Sequence, residues 1–148
     1  MKVLVVYDSL YGNTALVARV IGEAAAGEAA VLSVGEAKPA ELCSFDLVVI
    51  GSPTQGGRAT EAMRALLARI PALNGANVAV FDTRLVARWV KVFGYAAGKI
   101  ADELKALGAT LVTEPEGFFV EGKEGPLAEG ELARATTWAR SLLASPTG

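Results

Sequence analysis

Ser9, Asn13 and Thr14 set two hydroxyls and a carboxamide around Gly12 in the stretch Ser9-Leu10-Tyr11-Gly12-Asn13-Thr14. Groups of this kind bind anions, and their position adds to that. The stretch follows an apolar run, Val3-Leu4-Val5-Val6-Tyr7, and precedes a segment with apolar residues at 16, 17, 20, 21 and 24, one face of a helix. A loop between a strand and a helix N-terminus offers backbone N–H groups without intrahelical partners, and the helix dipole adds partial positive charge. Gly12 lets the backbone approach closely. The chemistry this predicts is phosphate binding. The same residue types also serve as plain N-caps, worth roughly 1 kcal/mol without any ligand.

Two further loops carry polar groups of the same sort. Gly51-Ser52-Pro53-Thr54-Gln55-Gly56-Gly57-Arg58 follows a strong apolar segment, and its backbone can lie along the edge of a planar ligand. Asp82-Thr83-Arg84-Leu85 leads on to Trp89, Phe93, Gly94 and Tyr95, with Arg84, Arg88 and Lys91 as cations against the acid Asp82. Gly117-Phe118-Phe119-Val120-Glu121-Gly122-Lys123 has the spacing of a nucleotide-binding GxxxxGK, but Glu124 stands where a magnesium-binding Ser or Thr is needed and the inner residues are apolar. No GxGxxG follows the first strand, so a dinucleotide fingerprint is missing.

The elements that must position these groups alternate. Strands are expected at 2–7, 30–34, 45–50, 77–81 and 110–113, with 117–120 continuing the fifth after a break at Pro115. Helices are expected at 13–26, 60–70, from beyond the fourth strand to about Leu107, and 128–143, and the final Ser145-Pro146-Thr147-Gly148 is expected to fray. Apolar strands alternating with helices imply a parallel sheet covered on both faces, which binds ligands at the carboxyl ends of its strands. All three polar loops fall there.

Composition narrows the chemistry. At 148 residues the chain, 1–148, reads as one domain; 52% hydrophobic and 20% charged residues fit a compact globule. There is no histidine, which excludes Ser-His-Asp triads and His-based zinc sites, and Cys43 is the only cysteine. Net charge is −2, with no basic stripe, so no nucleic-acid partner is expected. No leader and no apolar run of ~20 residues is evident, so no membrane association and a cytoplasmic location are expected.

In these residues the chain resembles the flavodoxins. Ser9-x-Tyr11-Gly12-Asn13-Thr14 is similar to that family's phosphate loop, Ser/Thr-x-Thr-Gly-x-Thr, departing from it at Tyr11, and the likeness extends to Leu104-Lys105-Ala106-Leu107-Gly108-Ala109. The resemblance implies an α/β, flavodoxin-like three-layer sandwich: a five-stranded parallel sheet of order 2-1-3-4-5 with helices on both faces. It implies flavin mononucleotide (FMN) as cofactor, with Ser9, Leu10, Tyr11, Gly12, Asn13 and Thr14 around the phosphate. Pro53, Thr54, Gln55 and Gly56 would flank one side of the ring. Asp82, Thr83 and Arg84 would flank the other, with Trp89 as the nearest aromatic to stack on it. It further implies an electron carrier acting between redox partner proteins. Two alternatives stay open: an FMN-dependent NAD(P)H quinone or nitro reductase on the same fold, and a flavin-free interaction domain. Receiver domains share the sheet order, but Gly51-Ser52 stands where they carry a phosphate-accepting aspartate. The cations after strand four, if close to the ring, would favour its reduced, anionic form and a less reducing flavin.

Overall fold

A computed structural model of the chain describes residues 1–25, 29–85 and 95–144. Successive side chains of each strand point to opposite faces, which divides the buried residues between two layers. Leu4 and Val6 of β1 (Val3–Tyr7), Val48 and Ile50 of β3 (Leu47–Pro53) and Val78 and Val80 of β4 (Asn77–Leu85) face one way. They pack under α2 (Glu61–Leu67) and α3 (Ala96–Ala106). Val3, Val5, Leu47, Val49, Ala79 and Phe81 face the other way, under α1 (Asn13–Ala24) and α4 (Glu131–Ala144). The result is the expected helix–sheet–helix sandwich.

β2 (Ala29–Ser33) completes the edge beside β1, and all strands run parallel in the order β2-β1-β3-β4-β5. The fifth lane is interrupted. β5 (Thr110–Leu111) pairs with Asn77 and Val78, and after a break β6 (Glu116–Val120) pairs with Phe81 to Leu85 of the same β4. The sheet therefore has six strands, and the continuation expected after Pro115 is present.

Two expected boundaries shift, with consequences for the site. β3 runs on past Gly51 to Pro53, because Gly51, Ser52 and Pro53 pair with Phe81, Asp82 and Thr83. β4 runs on past Phe81 to Leu85, because β6 pairs along that extension. Asp82, Thr83 and Arg84 are thus strand residues, held at fixed register, where the sequence places a loop. Three helices are shorter than expected. α2 ends at Leu67 since the next turn tightens to i,i+3 bonds (Arg69 N–H to Leu66 O, Ile70 N–H to Leu67 O). α4 begins only at Glu131, because Gly130 adopts a φ of 83°. α1 ends at Ala24 with Ala25 as its C-cap, short of the expected residue 26, while the start of the helix after β4, Trp89, Arg88, Lys91, Phe93, Gly94 and the end expected to fray at 145–148 lie outside the described residues.

Three aromatic edges lock the α4 face. Phe81, Phe118 and Trp138 make pairwise T-shaped contacts with centroids 5.9–6.2 Å apart. Phe81 fills the space over Gly51, where a Cβ would lie 2.0 Å from its ring.

Candidate functional site

At the carboxyl ends of β1, β3, β4 and β6 lies a cleft of about 380 Å³. Ser9, Leu10, Tyr11, Asn13 and Thr14 line one wall, Pro53, Thr54, Gln55 and Gly56 a second, and Thr83 and Arg84 a third. Leu85, Val120 and Lys123 complete it. The three polar loops singled out in the sequence therefore meet. Of the expected site residues, Gly12 and Asp82 do not line the cleft, and Trp89 lies outside the described residues. No carboxylate lines the cleft among the described residues.

The first wall is a helix N-terminus prepared by local bonds. Gly12 occupies the N-cap of α1 with φ 93°, a left-handed conformation that favours glycine, and no side chain caps there. Instead the Ser9 hydroxyl accepts from the N–H groups of Gly12 (3.1 Å) and Ala15 (3.3 Å), so Ser9 serves as an internal cap of the loop. The N–H groups of Leu10, Tyr11, Asn13 and Thr14 have no hydrogen-bond partner among the described residues. Four donors at a dipole's positive end, in a cleft without carboxylates, suit an anion. The space over Gly12 is open, so the need for glycine there is torsional and not steric.

Thr14 is 1% exposed and its hydroxyl lies 2.8 Å from that of Thr83, which is 4% exposed. This bond ties the Ser9–Thr14 loop to the end of β4. Asn13 is used otherwise than the sequence implies. Its Nδ2 donates to the Glu124 carbonyl (3.1 Å) across the 121–126 turn, so that amide hydrogen serves a loop-to-loop contact.

The second wall is ordered by a tight hairpin. Gln55 and Arg58 exchange backbone bonds (2.8 and 3.0 Å) across Gly56 and Gly57, whose φ values of 55° and 80° match a type I′ turn. Thr54 anchors it: its N–H donates to the Thr83 carbonyl, and its hydroxyl accepts from Ala96 N–H at the start of α3. A Cβ at Gly56 would meet nothing within 4 Å, so this side of the cleft is open to a flat group.

The third wall disposes of a charge. Asp82 is fully buried beneath the cleft; both its oxygens accept from Arg84 (Nε 2.6 Å, Nη2 2.8 Å), and Oδ2 also accepts from Ala97 N–H at 3.0 Å. The Arg84 guanidinium lies over the Tyr95 ring, 3.5 Å from its centroid, and covers Gly117, where a Cβ would fall 2.2 Å from Cζ. Of the cations expected to favour extra negative charge on a ligand, Arg84 is already paired with the buried Asp82 carboxylate, and Arg88 and Lys91 lie outside the described residues. Arg84 is neutralised by a bidentate partner it cannot leave cheaply.

A second ion network fastens β6 to α4. Glu131 accepts from Phe119 N–H (2.7 Å) and from Arg134 Nε (2.9 Å) and Nη2 (2.7 Å), while Arg134 also reaches Glu116 (3.1 Å) and the Gly117 carbonyl. The Arg134 guanidinium holds the Glu131 carboxyl below its ordinary value, against the opposing effect of burial.

Sequence reasoning missed Leu85, Val120 and Lys123. The signal for Lys123 was present in Gly122-Lys123, set aside because the preceding residues form a strand. They do form β6, so the stretch is no nucleotide-binding loop, yet the lysine still arrives at the cleft. Among the described residues, no cluster of His, Cys, Asp and Glu is placed to hold a metal, and no helix is long and apolar enough to cross a membrane.

Comparison with known proteins agrees with this fold. The chain is similar in structure to a flavodoxin from the domain Archaea (23% identity, TM-score 0.78, 96% of each chain covered). It is also similar to oxidised flavodoxin 2 from Bacillus cereus (24% identity, TM-score 0.80, 97% of this chain and 98% of that one). Rubredoxin:oxygen oxidoreductase from Desulfovibrio gigas matches at 20% identity and TM-score 0.71, with 97% of this chain covering 36% of that longer one. No curated protein sequence matches the chain. A family model described as flavodoxin matches residues 5–138 of the 148, and the chain belongs to the flavodoxin family.

Proposed function

We propose that the chain binds FMN in this cleft and carries single electrons between redox partner proteins in the cytoplasm. The observation that carries the reading is the donor set at the N-terminus of α1: beside the Ser9 and Thr14 hydroxyls stand four N–H groups that, among the described residues, have no acceptor, in a cleft that no described carboxylate lines. That set fits a terminal phosphate, and a loop of this length fits one phosphate better than a pyrophosphate. Between the hairpin at Gly56 and the end of β4, the cleft is bounded by Leu10, Tyr11, Pro53, Leu85 and Val120, apolar surface suited to a planar ring.

When bound, FMN supplies the electron-accepting and electron-donating chemistry, and the chain's residues supply position and environment. The backbone of the first wall holds the phosphate end. The Gln55–Arg58 hairpin and the Thr54 anchors fix the second wall against the ring edge. Pairing of Asp82 with Arg84 leaves the third wall electrically neutral. Leu10, Tyr11 and Leu85 are 49%, 45% and 39% exposed, an apolar rim at which a partner protein can approach. No acid or base is needed for electron transfer through such an edge, which suits a chain without histidine.

Titration by quenching of flavin fluorescence tests the reading. FMN is expected to bind tighter than both riboflavin and flavin adenine dinucleotide, and the loaded protein should exchange electrons with redox proteins while giving no turnover with nicotinamides. Equal affinity for FMN and riboflavin would remove the phosphate assignment. Steady oxidation of NADH or NADPH would favour the reductase.

A further inference from the structure

We infer that Lys123 is the counter-ion to the ligand's phosphate, carried into the site by the β6–α4 loop. This rests on the FMN reading above and extends it to a second loop. Among the described residues, two cations line the cleft. Arg84 is occupied by Asp82; Lys123 is exposed and has no ion-pair partner among the described residues, although Glu121 and Glu124 are its neighbours in sequence. Among the described residues that line the cleft, it is therefore the cation whose charge remains available to an anion.

Its placement is built. The loop is closed by Glu121 N–H to Pro126 O (2.9 Å), Gly125 N–H to Gly122 O (3.0 Å) and a bridge between Val120 and Leu127, which puts Lys123 and Glu124 at the tip of a tight turn. The turn is clipped to the phosphate loop, where Asn13 Nδ2 donates to the Glu124 carbonyl at 3.1 Å. Gly125, at φ 104°, makes the close approach possible, since a Cβ there would lie 2.6 Å from Asn13 Oδ1. Residues 111 positions apart are thereby joined. Asn13 acts as the clip and Lys123 as the charge, and phosphate recognition is shared between two loops.

The test uses the full chain, with FMN and riboflavin as probes read by fluorescence quenching over a range of salt concentrations. Lys123→Gln should weaken FMN by about 3- to 10-fold, as expected for loss of a partly solvated charge contact. It should leave riboflavin unchanged and flatten the fall of FMN affinity with salt. Lys123→Arg should stay near the parent. Asn13→Ala should weaken FMN in the parent background and have a smaller effect once Lys123 is already glutamine. FMN affinity and salt dependence unchanged in Lys123→Gln would overturn the inference while leaving the flavin reading intact. Equal weakening of FMN and riboflavin would also overturn it, because the lysine would then act on the cleft's shape. A parent chain that binds neither flavin overturns the flavin reading itself, and this inference with it.

Discussion

The buried hydroxyl pair Thr14–Thr83 makes the sharpest demand on the proposed site. The oxygens are 2.8 Å apart and both residues are nearly inaccessible. Each hydroxyl owns one proton, so one of them donates within the pair and the other keeps its proton for a further acceptor. Both residues line the cleft. With a phosphate present, the favourable arrangement has Thr83 donating to Thr14 and Thr14 donating to a phosphate oxygen. Thr14→Val keeps the side-chain shape and removes that donor. A hydrogen bond to a charged group contributes about 1.5–3 kcal/mol, so FMN affinity should fall by roughly 10- to 150-fold. Thr83→Val leaves the phosphate contact and removes the group that orients it, a neutral bond of about 0.5–1.5 kcal/mol and a loss of about 2- to 13-fold.

Two controls separate binding from folding. Riboflavin lacks the phosphate, so its affinity should not move in either variant. In urea unfolding without ligand, each single valine leaves one buried hydroxyl unpaired and should destabilise by about 1–3 kcal/mol. The double valine replaces both partners with apolar groups of the same shape and should lie closer to the parent than the sum of the singles. If Thr14→Val binds FMN as the parent does while staying folded, the hydroxyl serves only to join loop and strand. Parallel losses for FMN and riboflavin would equally refute the argument.

Three further outcomes follow from the same geometry. Gly12→Ala should destabilise the ligand-free chain by about 1–2 kcal/mol and Gly12→Val by more, because φ is 93° while the space beyond is open; urea midpoints equal to the parent's would contradict this torsional account. Arg84→Gln should cost about 3–5 kcal/mol by stranding the buried Asp82 carboxylate, with Asp82→Asn/Arg84→Gln recovering part of it in thermal unfolding, and a single variant as stable as the parent would show the pair to be idle. Glu131 has its folded pKa held below the ordinary 4.5, so the folded state binds fewer protons than the unfolded one between the two values. Its contribution is therefore complete above the unfolded value and lost as pH falls through the folded one, and Glu131→Gln should flatten the acid limb of a stability–pH curve; an unchanged limb would remove Glu131 from the acid response.

The sheet order and the site's address were legible because both depend on local patterns. The unbroken apolar runs Val3–Tyr7 and Leu47–Ile50, with turn residues after them, are enough to place the strands, and a parallel sheet then puts Ser9–Thr14 and Pro53–Gly56 on one edge. What was not legible is set by pairing at long range. Nothing near Phe81 says that β4 continues to Leu85; the reason is β6, more than thirty positions later. That extension converts an expected loop into a strand with a period of two. Asp82 and Arg84 then share one side, where they meet as an ion pair.

The same distinction bears on reading charge from a sequence. Arg84 and Lys123 are both cations at the edge of one cleft, and composition treats them alike. Arg84 sits two positions from an acid on a strand, so the sheet's own geometry cancels it. Lys123 sits at the tip of a turn next to two acids, yet the turn directs it to the cleft and pairs it with neither. The field at the site is therefore set by register and turn geometry more than by the chain's net charge of −2. In a helix the opposite expectation holds, since neighbours at i,i+3 and i,i+4 compensate one another, as Glu131 and Arg134 do here. A cation's worth at a cleft follows from the element that carries it, and β6, which brings up both Gly117 under Arg84 and the turn that bears Lys123, is the element that fixes both outcomes.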